Sequence, residues 1–302
     1  MANYLEKKAV DYQYHNLLKE ILEKGVREKK TQLINKNGKN VGAISLFGST
    51  PMRFKLENGF PMITERDISS FWKSPIAEIF AFINGVRTQN ELVEYGCHWW
   101  KSWVTEKKCV KRGLTVGDLG PGSYGAAFHN FPTTEGEAFN QFKHLVEQIK
   151  EQPRLRTHII TPFIPQYIGR GNGKTQKVVV VPCHGSIYVR IIDDKLTLTM
   201  VQRSGDVPIG VPSNMIQYAA LTLALAHVTG YEPHEYIHTI VDAHIYEDQL
   251  PVTKEILKRE PRTFPEVHLN KPPDDIFSFR KDHFELFQYN PHPAIANIPV
   301  AI

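Results

Sequence analysis

The chain has 302 residues, 41% of them hydrophobic and 23% charged, enough for a sizeable core in one large domain or two ordinary ones. Its formal net charge of +4 and pI near 8.8 are a mild excess spread over the whole length, with no Lys/Arg block resembling a nucleic-acid arm, so a small anionic ligand suits it better than a polymer. Cys97, Cys109 and Cys183 are odd in number and show neither CxxC spacing nor a paired-His pattern, which argues against a disulfide framework and a metal site and for a reducing compartment.

The opening MANYLEKKAVDYQYHNLLKE is charged and helix-like, not a secretory leader, and no apolar run nears the roughly 18 residues of a membrane span, so a cytoplasmic protein is expected. Tyr14, Leu17, Leu18, Ile21 and Leu22 stand at helical spacing and predict an amphipathic helix over 4–27. After the polar turn NKNGKN at 35–40, AISLFG and MRFKL alternate as strands do. Ser74 and Pro75 before IAEIFAFI read as an N-cap, an N1 proline and a buried helix, which carries a lone acid, Glu78. The Gly/Pro-rich stretch 118–137 reads as loop, followed by an amphipathic helix over 138–151. Strands are expected at 156–163, 176–182, 186–193 and 195–202. VPSNMIQYAALTLALAHVTGYE is apolar all round, a buried helix stopped at Gly230. A strand HTIVDAHIY, a charged helix and a Pro-punctuated end complete the chain. Nothing repeats and no linker divides it, which makes it α+β: a mixed β-sheet packed with helices in a single domain, 1–302.

One stretch raises a chemical question. VVVVPCHGSIYVRI, residues 178–191, sets Cys183 between a proline and a histidine inside an apolar β-type run. A free cysteine there is either a small buried hydrophobe or a nucleophile. Twenty residues on stands QRSGD, on a strand able to pair with the cysteine segment across a turn at Asp193 and Asp194. That pairing brings Arg203 near the sulfur, and a cationic neighbour favours thiolate, the attacking species.

PCH at 182–184, QRSGDVPIGVPSN at 202–214, DAHIY at 242–246, REPRTFP at 259–265, YNPHP at 289–293 and the terminal PVAI together resemble the thymidylate synthase family, in the family's order. The likeness runs from SLFG near 45 to the last residue, and the family includes a branch that hydroxymethylates pyrimidine nucleotides. The resemblance implies a homodimer that binds a pyrimidine nucleoside monophosphate and 5,10-methylenetetrahydrofolate as co-substrate, with no metal. In that chemistry a thiolate adds to C6 of the base, and C5 then attacks the folate's methylene carbon.

Carried over residue by residue, the resemblance makes Cys183 the nucleophile, with His184 beside it in the substrate site. Arg203 matches an arginine that contacts the nucleotide phosphate, a task suited to a fixed guanidinium fork, and Ser204 another phosphate contact. His244 and Tyr246 match the pair that holds the ribose 3′-hydroxyl. Glu78 matches a helix-borne glutamate that manages protons through ordered water, and Tyr124 the tyrosine that helps remove the C5 proton. Asn214 offers a donor and an acceptor that pair with the 4-oxo group and N3–H of uracil; the family's cytidylate members have Asp there. Asp206 matches the acid that hydrogen-bonds the pterin, and Trp100, Trp103, Ile209 and Gly210 flank the folate. Arg156 matches a cation that reaches the partner subunit's phosphate site.

Several positions depart from the family. Ser213 replaces a phenylalanine that packs on the folate's aminobenzoate ring. Glu65, in ITER, stands where a folate-binding lysine is usual, which weakens attraction for a polyglutamate tail. Thr157 replaces the second of two paired arginines. The phosphate-loop arginine near 38 is absent, with Lys36 or Lys39 as substitute, and EDQ at 247–249 differs from the usual strand end. One extra residue precedes Tyr124, and Ala127 and Phe128 replace the usual QW. These changes gather at the folate and the phosphate, while nucleophile and base reader are intact. Loss of the apolar wall at 213 admits water where hydride transfer needs a dry, stacked pterin. The expectation is hydroxymethylation of dUMP, with reductive methylation to thymidylate as the alternative. A dCMP or CMP hydroxymethylase would carry Asp at 214, and a non-catalytic nucleotide-binding module would lack Cys183 or Asn214.

Overall fold

The computed structural model describes residues 8–34 and 38–300. The helices are α1 (Gln13–Lys24), α2 (Lys73–Ile83), α3 (Gln89–Tyr95), α4 (Glu106–Val110), α5 (Tyr124–His129), α6 (Gln141–Glu151), α7 (Pro165–Ile168), α8 (Gly210–Thr229) and α9 (Leu250–Ile256). The strands are β1 (Val26–Glu28), β2 (Ala43–Phe47), β3 (Met52–Lys55), β4 (Ile159–Ile160), β5 (Ser186–Ile192), β6 (Lys195–Asp206), β7 (Glu232–Tyr246), β8 (Glu266–Leu269) and β9 (Phe284–Phe287).

Seven strands form one mixed sheet in the order β1-β2-β7-β6-β5-β4, with β3 also paired to β7. Only β6 and β7 run parallel, and a parallel pair needs a crossover, here the 20-residue α8. Because α8 covers the sheet, nearly every turn of it is buried, which is why its sequence shows no polar stripe. Leu196, Leu198 and Met200 of β6 join Met215, Ala219 and Leu221 of α8 in the main core. The β5–β6 hairpin turns through Asp193 and Asp194 at φ 50° and 56°, a left-handed pair that matches the strand twist. On the opposite face Ile159, Tyr188 and Ile192 are exposed and Val201, Ile237 and Val241 half-buried, so an apolar sheet face has no full cover among the described residues.

Several expected elements differ. Residues 176–182 form no strand: Val178 and Val179 are buried, but the backbone bonds of 177 and 179 go to Tyr167 in α7 and to the loop that holds Leu119 and Gly122. Cys183 therefore lies in a loop that feeds β5, not inside a strand. The strand expected at 156–163 shrinks to Ile159–Ile160. The stretch 118–137 contains α5, whose buried Ala126, Ala127 and Phe128 outweigh the glycines around them. The α2 helix starts at Lys73 after Trp72, so Ser74 and Pro75 lie in its first turn and Ser74 makes no cap. The first helix is shorter than expected: 8–12 are not helical, and Val26 already pairs in β1.

Gly230 ends α8 at φ 80°, and an added Cβ would meet nothing within 4 Å, so only the left-handed backbone selects glycine. Gly230→Ala should lower the unfolding free energy by about 1 kcal/mol in urea denaturation; an unchanged midpoint would contradict this origin of the helix stop.

Candidate active site

Cys183, in the loop before β5, is held from α5 and β6. Its backbone N–H donates to Tyr124 Oη at 2.7 Å, its carbonyl accepts from Arg203 N at 2.7 Å, and Arg203 Nη2 stands 3.4 Å from Sγ. Arg203 also donates through Nε to Pro182 O at 2.8 Å and through Nη2 to Val181 O at 2.9 Å, so the guanidinium clamps the loop and cannot drift from the sulfur. Gly185, at φ 100°, turns the chain from this loop into β5. Burial pushes the Cys183 thiol up and Arg203 pulls it back; burial is the larger effect, so the arginine moderates the thiol's pKa without bringing it below the ordinary range. Behind the loop, the His184 ring stacks on Tyr124 with centroids 4.5 Å apart, and its Nδ1 contacts Tyr218 Oη at 2.7 Å. Burial and Arg203 lower His184 to about 3, so the imidazole is neutral at physiological pH.

A second group runs through the core. Glu78, on α2, is buried, and burial raises its pKa while four donors pull it down. Trp99 Nε1 and Trp100 Nε1 both donate to its Oε1 at 2.6 Å, Cys97 Sγ lies 3.7 Å from the same oxygen, and Gln217 Nε2 donates to Oε2. Gln217 Oε1 accepts from Asn214 Nδ2 at 2.8 Å. Asn214 Oδ1 accepts from Gln202 Nε2 at 3.1 Å, and Gln202 Oε1 meets His238 Nε2 at 2.8 Å. The result is an unbroken polar chain between α2, α8, β6 and β7.

A third group closes the strand ends. Asp206, the last residue of β6, pairs in register with His244 of β7. Gln249 Nε2 lies 2.9 and 3.2 Å from the two Asp206 carboxylate oxygens and 2.9 Å from Pro299 O, which ties the C-terminal segment to this acid. Burial raises Asp206 to about 6, against the pull of Gln249 and His244. Ile209 N donates to Asp206 Oδ1 at 3.3 Å, so Ile209 and Gly210, where α8 begins, sit beside it. His244 packs edge-on to Tyr246 at 4.9 Å, and its Nδ1 contacts Asp242 O at 3.3 Å.

Of the residues singled out from sequence, Cys183, His184, Arg203 and Tyr124 join in the first set of contacts and Asn214 and Glu78 in the second, and Asp206, Ile209, Gly210, His244 and Tyr246 gather at the strand ends. Ser204 contributes its carbonyl, which accepts from Gln202 Nε2 at 3.0 Å, and Ser213 is half-buried in the first turn of α8. Trp100 is buried against Glu78 and edge-on to Tyr124 at 6.5 Å, while the half-buried Trp103 carries the Lys108 ammonium 4.4 Å from its ring centroid. Arg156 stands apart, exposed in the loop before β4. Lys39 lies in an exposed loop, and Lys36 lies outside the described residues. Glu65 does not face a ligand tail: it is buried, takes Thr64 N on Oε2 at 2.9 Å, and stands 4.0 Å from His15 Nδ1. Sequence reading missed Trp99, Gln202, Gln217 and Gln249. Gln202 and Gln249 stood inside motifs already noted, QRSGD and EDQ, without a role, and Gln217 stands one helical turn beyond Asn214.

The chain matches the thymidylate synthase family model over residues 12–302. It belongs to the thymidylate synthase family. Its mixed sheet packed with helices is the α+β fold that the resemblance implied, and the chain is a folate-dependent one-carbon transferase acting at C5 of a pyrimidine nucleotide, with methylenetetrahydrofolate as co-substrate. Among the described residues, no group of three or more His, Cys, Asp or Glu could hold a metal ion, and no helix is long and apolar enough to cross a membrane.

Two outcomes follow from these charges. Arg203→Met should move the pH profile of Cys183 alkylation by iodoacetamide to higher pH, because the stabilising cation is lost; a profile that stays put would remove Arg203 from the sulfur's electrostatics. Asp206 is raised above its unfolded value of 3.8, so the stability it contributes is present below that value and is lost as pH rises through about 6. Asp206→Asn should therefore gain stability over wild type at pH 8 and little at pH 3.5, read by denaturant titration; equal effects at both would contradict the burial of a charge here.

Proposed function

We propose that this enzyme hydroxymethylates dUMP, and the observation that carries the reading is the half-buried Ser213 beside Asn214 at the start of α8. In this reading Cys183 Sγ, as thiolate, forms a bond to C6, and the ring's electron pair moves to C5. C5 attacks the methylene carbon of the folate, whose C–N bond breaks, and Tyr124 assists removal of the C5 proton. Tetrahydrofolate departs, leaving an exocyclic methylene. Water adds to that carbon, electrons return through the ring, and the C6–S bond breaks to free Cys183. Burial holds Tyr124 well above the ordinary phenol value, so it works as a neutral hydroxyl and not as a phenolate. Glu78, whose oxygens accept three N–H donors, manages protons at the base through ordered water. Asn214 reads uracil; Arg203, through its Nη1, and Ser204 take the phosphate; His244 and Tyr246 hold the ribose. Trp100, Trp103, Asp206, Ile209 and Gly210 receive the folate.

The active unit in this reading is a homodimer built across the sheet face where Ile159, Tyr188 and Ile192 are exposed among the described residues. Arg156, exposed near that face, extends toward the partner's phosphate site. The three free cysteines accord with a reducing, cytoplasmic site of action.

A second reading, reductive methylation to thymidylate, is favoured by the contact of Gln249 with Pro299 O, which sets the C-terminal segment against Asp206 where it would exclude water. Incubation with dUMP and 5,10-methylenetetrahydrofolate separates the two by nucleotide mass and dihydrofolate absorbance. Hydroxymethyl-dUMP without dihydrofolate is expected, and Ser213→Phe should shift the product toward thymidylate. Thymidylate with stoichiometric dihydrofolate from the wild type would overturn the proposal.

A further inference from the structure

We propose that Gln217 is a positioning residue that fixes which way the Asn214 amide faces, and so contributes to the choice of uracil over cytosine. The inference rests on the reading of Asn214 as the group that meets the base. A primary amide is nearly symmetric in shape, so an unconstrained asparagine can present donor and acceptor in either order. Uracil needs an N–H toward its 4-oxo oxygen and an oxygen toward its N3–H. Cytosine, with a 4-amino group and a bare N3, needs the reverse. Discrimination between the two therefore requires that turning the amide over be costly.

The chain of contacts supplies that cost from both sides. At one end Glu78 is an acceptor: Oε1 receives both indole N–H groups and Oε2 faces Gln217. Gln217 must present Nε2 to it, which leaves Oε1 for Asn214 and obliges Asn214 to point Nδ2 that way. At the other end the Ser204 carbonyl is an acceptor, so Gln202 presents Nε2 to it and to Asn214 Oδ1. Gln202 Oε1 then needs a donor, and His238 supplies one from Nε2. Burial lowers His238 to about 3, so the ring is neutral and its one proton sits on that nitrogen, leaving Nδ1 without a partner. Both ends demand the same orientation of Asn214. All four side chains, Gln202, Asn214, Gln217 and His238, are buried, so water cannot repair a reversed amide. Each Asn214 atom keeps capacity for one further bond, a donor from Nδ2 and an acceptor on Oδ1, which is the pair uracil requires.

The test is the ratio of dissociation constants for dCMP and dUMP, measured calorimetrically on the full chain. Gln217→Met keeps the bulk and removes the Oε1 acceptor; the ratio should fall about tenfold through tighter dCMP and weaker dUMP binding. Gln217→Glu keeps an oxygen toward Asn214, with a shared proton replacing the amide N–H toward Glu78, and should retain the wild-type ratio. If the Met variant does not fold, Glu78→Gln decides: its amide can offer an N–H to Gln217 and remove the acceptor-only end, so the ratio should again fall. A ratio unchanged in Gln217→Met, with both nucleotides weakened equally, would overturn the proposal and leave Gln217 as packing. A wild type that binds the two nucleotides equally would overturn the base reading and the proposal together.

Discussion

Burying the carboxylate of Glu78 is the constraint from which much of the site follows. An isolated carboxylate taken from water into a core costs many kcal/mol, and the group survives there only when donors meet its oxygens. Here the donors come from two directions: Cys97, Trp99 and Trp100 from the segment after α3, and Gln217 from α8. Those four contacts fix α2 relative to α8, and α8 is the crossover that sets β6 beside β7. The parallel pair in turn places Arg203, Ser204 and Asp206 at the strand ends beside His244 and Tyr246. A need to satisfy one buried acid thus organises elements far apart in sequence.

The other acid, Asp206, is handled differently. It takes N–H groups from Gln249 and Ile209 and has a histidine neighbour, and burial lifts it to about 6. A group so poised gains from any ligand that brings N–H donors to it, as a pterin ring does in the proposed function. Glu78 meets four donors, whereas Asp206 meets two. In the proposed function the contrast separates a group that holds the site together from one that awaits its ligand.

Much of this was legible in the sequence where local pattern and tertiary environment agree. The buried α8 and its Gly230 stop, the long β6 and β7, and the closeness of Arg203 to Cys183 all follow from periodicity, turn signals and hairpin geometry. The failures have a common cause. Residues 176–182 look like a strand because four valines in a row carry strand propensity, yet their backbone partners are α7 and the loop around Leu119 and Gly122, not another strand. The helix α5 hides among glycines because its burial, not its composition, stabilises it. Trp99 and Gln249 could not be read as members of the site, since nothing local to either marks the acid it meets across the fold. Glu65 misled for the same reason: charge type was visible, the direction of the side chain was not.

The measurement that bears most directly on the account is peptide mapping by mass spectrometry after rapid acid quench of the enzyme turning over dUMP and 5,10-methylenetetrahydrofolate. The account predicts a pyrimidine nucleotide covalently attached to the peptide bearing Cys183, absent from Cys97 and Cys109 peptides and lost in Cys183→Ser. Turnover with no adduct at Cys183, or sustained activity in Cys183→Ser, would contradict it.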